Sequence, residues 1–72
     1  MTEVTTLGEL MDLIGDYRDL RFLTVTRGRV SELFVKREFP EIDVDLIYSR
    51  VGRYEVEIAD IGCYAHLKVW LI

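Results

Sequence analysis

Cys63 and His66 are the most reactive pair of side chains in the sequence, three residues apart near its C-terminus. A thiol and an imidazole are half of a metal site, or a nucleophile with its base. The spacing argues against both. Residues three apart on a strand point to opposite faces, and there is no second Cys or His to complete tetrahedral ligation. Cys63 reads as a small core residue and His66 as a surface residue beside Glu57. Glu55 and Glu57 share a strand face but lie across from Lys68 and His66, which suits ion pairing better than the raised pKa of a general acid. Asp43 and Asp45 sit near a helix start or on a solvated face. The glycines (Gly8, Gly15, Gly28, Gly52, Gly62) are scattered and form no phosphate loop. No catalytic group, metal or cofactor is expected, and the chain reads as a non-enzyme.

The elements that position these residues follow from periodicity. Thr6 and Glu9 match a capping box. Leu7, Leu10, Met11, Ile14 and Tyr17 then recur at helical spacing, with Gly15 marking the helix end. Leu20–Thr26 and Arg29–Lys36 read as strands joined by an Arg27-Gly28 turn, which pairs Leu20 with Val35, Phe22 with Leu33, and Val25 with Val30. Phe39-Pro40 ends the second strand, because proline lacks an N–H. Two readings compete from Glu41 to Ser49. Alternation of Ile42, Val44, Leu46 and Tyr48 suits a strand; Pro40 with acids in a first turn suits a short helix over about 41–49, which is the reading taken.

The clearest pattern is the closing hairpin, Arg53–Ile72. Tyr54, Val56 and Ile58 alternate with charges, and so do Cys63, Ala65, Leu67, Val69 and Leu71 with polar and aromatic residues. One register pairs Ile58 with Ala65, Val56 with Leu67 and Tyr54 with Val69. It sets Glu57 opposite His66, Glu55 opposite Lys68, and Arg53 opposite Trp70. The expected fold is therefore one α+β domain over residues 1–72, in the order α-β-β-α-β-β. It has a four-stranded antiparallel sheet and the first helix packed on one face.

The helix Thr6-Leu7-Gly8-Glu9-Leu10-Met11-Asp12-Leu13-Ile14, the segment Gly52-Arg53-Tyr54-Glu55-Val56 and the closing Leu67-Lys68-Val69-Trp70-Leu71 carry a resemblance. In these segments, and in its element order, the chain resembles very short proteins encoded by bacteriophages and mobile elements of gut Firmicutes. Its arginine-rich first hairpin and Tyr64-Ala65-His66 depart from their usual pattern. The resemblance implies a phage or mobile-element origin and brings no activity, cofactor or catalytic residue with it. Anti-defence inhibitors, anti-CRISPR proteins among them, are similar in size and acidity.

Composition bounds the rest. A chain of 72 residues, half of them hydrophobic, has material for one core and a thin stability margin. There is no apolar run near membrane-spanning length, and Glu3 and Glu9 stand where a signal peptide would be basic. With one cysteine and no disulfide to form, a cytoplasmic location is expected, and no membrane partner. The net charge is −4, but residues 18–37 carry six basic side chains against two acidic ones, between acidic flanks.

Both faces of the first hairpin carry apolar residues: Leu20, Phe22, Leu33 and Val35 on one, Leu23, Val25, Val30 and Phe34 on the other. A single helix covers only one face. The second set, with Tyr64 and Trp70 and with Arg21 and Arg53 beside them, is taken as the exposed one and as a protein interface. The expected function is that of a protein-binding module that occludes a host or defence protein, or pairs with itself as a homodimer. The alternatives are a nucleic-acid-binding accessory using the arginine hairpin 18–37, for which the acidity is unfavourable, and a structural subunit of a larger particle.

Overall fold

The computed structural model describes residues 5–58 and 64–72. Cys63, the 60–62 break in the closing hairpin and the side chain of Tyr17 lie outside the described residues. The chain forms α1 (Leu7–Tyr17), β1 (Asp19–Arg27), β2 (Val30–Val35), a 3-10 turn over Lys36–Glu41, α2 (Val44–Ile47), β3 (Val51–Ile58) and β4 (Tyr64–Leu71).

α1 begins as its sequence dictates. Thr6 is the N-cap, its Oγ1 accepting from the Glu9 amide at 3.3 Å and donating to the Glu9 carboxylate at 3.0 Å. Leu7 and Leu10 are buried, with Met11 and Ile14 packed against the core beside them. Gly15 does not end the helix. It continues to Tyr17 and stops where Arg18 turns extended to enter β1. The 41–49 segment contains one short helix, capped by Asp43 through the Asp45 amide at 3.1 Å. Pro40 lies in the preceding 3-10 turn rather than at a helix start.

The sheet is four-stranded in the order β2-β1-β4-β3, and it is mixed rather than antiparallel throughout. Each hairpin is antiparallel inside, but β1 and β4 run parallel where the hairpins join. Burial explains the order. β1 and β4 hold the buried strand residues, Leu20, Leu23 and Val25 on one, Ala65, Leu67 and Val69 on the other, whereas neither β2 nor β3 contains a buried residue. The two strands that hold fully buried side chains take the centre, and the two that hold none become edges. Burying a side chain such as Leu23 or Leu67 is worth roughly 1.5–3 kcal/mol.

The closing hairpin adopts the register read from its alternation, from Ile58↔Ala65 to Arg53↔Trp70. The first hairpin does not. Its turn is Gly28-Arg29, so Phe22 pairs with Val35, Thr24 with Leu33 and Val25 with Glu32. Gly28 has φ +60, the left-handed conformation that primed two-residue turns demand at their first central position. A second irregularity matters more. The β1–β4 ladder shifts between Leu20 and Phe22, leaving Arg21 as an extra residue. Leu20 thereby joins Leu23 and Val25 on the helix side, while Phe22 goes to the opposite side.

α1 also approaches α2 closely. A Cβ on Gly8 would lie 2.7 Å from Ile47 Cγ2, a branch held stiffly on its own Cβ. Gly8→Ala is expected to destabilise the protein by about 1 kcal/mol in urea denaturation, the overpacking penalty exceeding alanine's helical advantage. In an Ile47→Ala background the same change should be neutral or stabilising. Additive effects of the two substitutions would contradict the contact.

Candidate docking face

The structure reverses the assignment of exposed and buried sets in the first hairpin. Leu23 is 0% and Val25 3% exposed; both lie in the core and cannot be surface contacts. Phe34 is half-buried against that core, and it lines a cleft with Ile42 and Leu46. Val30 is exposed, but by register it lies on the helix side of β2, at its start. Strand alternation had grouped these residues correctly. It could not say which group the helices cover, because the bulge at Arg21 and the parallel β1–β4 pairing set that choice.

The opposite face carries none of the described helices. Register arranges its side chains in three ranks across the sheet: Val35, Phe22, His66, Glu57; then Leu33, Thr24, Lys68, Glu55; then Ser31, Thr26, Trp70, Arg53. The β2–β1 half of these ranks is uncharged, with its apolar residues in the first two, and the β4–β3 half carries the charges. Phe22 and Leu33 are 38% and 60% exposed. Neither was singled out as an interface residue by sequence reasoning, although both belonged to the alternating set it assigned to the core. The four residues expected to flank such a face, Arg21, Arg53, Tyr64 and Trp70, do lie on it. The Arg21 guanidinium stands 4.2 Å from the Tyr64 ring centroid, and that of Arg53 4.1 Å from the Trp70 ring. Each cation is drawn to the negative face of its ring and leaves it half-buried.

His66 has partners that its sequence neighbours did not suggest. Its Nε2 shares a 2.7 Å hydrogen bond with Thr24 Oγ1, and its ring lies 5.9 Å from that of Phe22. Glu57, directly opposite, pairs diagonally with Lys68 instead. A hydroxyl joined to an imidazole resembles the start of a nucleophilic relay, but among the described residues no carboxylate holds the ring's other nitrogen. Among those residues, too, no three His, Cys, Asp or Glu side chains converge on a metal position, and no helix is long and apolar enough to cross a membrane. The face presents apolar area, two aromatic rings each under a guanidinium, and charges of both signs.

The charges are organised by short-range pairs. Lys68 holds the Glu57 carboxyl below its usual range by hydrogen bond and by charge, and Glu57 raises the Lys68 ammonium in return. At Asp19, partial burial pushes the carboxyl up, but hydrogen bonds and charge from Arg21 (2.9 Å) and Lys36 (3.3 Å) together outweigh it and hold the group low. No protein-family model, curated protein or solved structure matches this chain.

A depressed carboxyl favours the folded state when ionised. The contributions of Asp19 and Glu57 are therefore present above the unfolded value near ~4 and are lost as pH falls through the folded pKa. The raised Lys68 contributes below its unfolded value near ~10.4, and that contribution is lost as pH rises through the folded pKa. Carboxyl-carbon NMR titration should find Asp19 and Glu57 titrating at lower pH than exposed, unpaired acids. In Lys68→Met the Glu57 midpoint should rise while that of Asp19 stays put; an unmoved Glu57 would contradict the pair.

Proposed function

We propose that this protein is a non-enzymatic binding module that docks a partner protein on the open face of its sheet. The observation that carries the reading is the exposed pair Phe22 and Leu33 with half-buried Val35 beside them, on the same face of the sheet as Tyr64 and Trp70 under their arginines. Aromatic residues and arginine are the side chains that most often anchor interfaces. The cluster sits on the side opposite the core, so its exposure serves no folding purpose that the described elements reveal. The resemblance to phage and mobile-element proteins suggests the partner: a host or defence protein that the module occludes, in the cytoplasm.

Nucleic acid fits the same face less well. Stacking bases need a free ring face, and a guanidinium already lies over both Tyr64 and Trp70. Arg21 and Arg27 are also engaged by Asp19 and Glu32, and the net charge of −4 repels a polyanion.

The test is a paired substitution, Phe22→Asp with Leu33→Asp, set against Val44→Asp on α2, which is exposed on the helix side. Circular dichroism should show both proteins folded. Partners captured by the wild type from host lysate should be lost by the double variant and kept by the control, with affinity for a captured partner falling ~30-fold or more. Undiminished capture by the double variant would contradict the proposal. Light scattering reports the homodimer: a dimer that the double variant dissolves would make the partner a second copy.

A further inference from the structure

We infer that the outer edge of β2 accepts an extended, acid-flanked segment of the partner as a fifth strand; this rests on the protein-docking reading above. The sheet has two edges, and they are not alike. β3 carries Arg53, Glu55 and Glu57, and its start is already paired, Val51 N–H to Thr5 O at 2.8 Å and Leu7 N–H to Ser49 O at 2.9 Å. Charges and a covering segment are common protections of an edge. β2 has neither, apart from Glu32, and its Val30 and Leu33 are each 60% exposed.

Register shows which groups are on offer. Arg27 and Val30 flank the two-residue turn, so Val30, Glu32 and Phe34 bond to β1, and the N–H and C=O groups of Ser31 and Leu33 point outward. The next outward donor, Val35 N–H, is taken by the Glu38 carboxylate at 2.9 Å. This sets the limit of the free edge and shows a carboxylate seated against it. Beside that end lies an open notch of about 260 Å³, lined by Phe22 and Val35 with Arg21, Lys36 and Arg37 around them. Arg29, at the other end of the strand, and Arg37 make no ion pair with a described residue.

An occupant of this edge must therefore be a strand, with apolar side chains toward Leu33 and Val35 and carboxylates near its ends. A second copy fits poorly. Self-pairing must set outward residue against outward residue. Centred on Glu32, it puts that carboxylate directly across from its own copy, and like charges so opposed are unfavourable. Centred on Leu33, it needs the Val35 N–H that Glu38 already holds. Nucleic acid matches the cations but cannot use the outward backbone groups in a ladder.

The experiment is a titration of the isotope-labelled full chain with a capped peptide alternating Val and Thr between Glu-Asp ends, read by amide exchange. At saturation, exchange at Ser31 and Leu33 should slow by ~10-fold or more, and added salt should weaken binding. The same peptide with Lys ends should give no protection. Arg29→Glu with Arg37→Glu, both remote from the core, should abolish protection, and Ser31→Pro should block the ladder. Protection that appears without peptide as protein concentration rises would overturn the inference in favour of a second copy. Protection of the same edge by an oligothymidylate, or no protection by the acidic peptide, would overturn it as well. If the peptide fails while the Phe22 and Leu33 double variant still loses its partner, the edge inference falls and the docking-face reading stands.

Discussion

The pairing of β1 with β4, adjusted by one extra residue at Arg21, is the constraint on which the rest of the molecule depends. It joins two hairpins into one sheet and sets their relative phase. Because Leu20 and Phe22 fall on opposite sides, Leu20, Leu23 and Val25 meet Ala65, Leu67 and Val69 beneath α1. The same shift sends Phe22 to the other face beside His66. A single-residue slip in this ladder would exchange core and surface for every side chain of a central strand.

Edges and face then acquire their character from what the core leaves over. The central strands take up the apolar residues that can be fully buried. β3 keeps the charges, and β2 keeps exposed aliphatic residues on both sides. The basic segment 18–37 surrounds β2, while carboxylates dominate elsewhere. Several basic side chains are already held: Arg21 by Asp19 and Tyr64, Arg53 by Trp70, Lys68 by Glu57. These contacts hold the side chains of the open face in place, which would lower the ordering cost of the docking proposed above.

Much of this was legible in the residues. The Thr6–Glu9 cap, the buried stripe of α1 and the whole register of the closing hairpin follow from local spacing, and the structure reproduces them. So does the placement of Arg53 over Trp70. What was not legible is non-local. Alternation grouped Leu23, Val25 and Phe34 but carried no sign for inside or outside, since α2 and its preceding turn come to cover that side. The parallel joint between hairpins left no local trace, because parallel and antiparallel neighbours demand the same alternation. The bulge at Arg21 hides inside a run, Leu20 to Thr26, that reads equally well as unbroken. The first turn was misplaced by one residue because Arg27-Gly28 and Gly28-Arg29 differ only in where the left-handed glycine falls.

The central claim is that the sheet has one covered and one open face, with the sides assigned by the β1–β4 joint. Methyl NMR with a soluble paramagnetic agent tests it most directly. Leu33 methyls should relax strongly, and those of Leu23, Val25, Leu67 and Val69 should be shielded. Strong relaxation at Leu23 with shielding at Leu33 would mean the faces are reversed, and the account would be wrong.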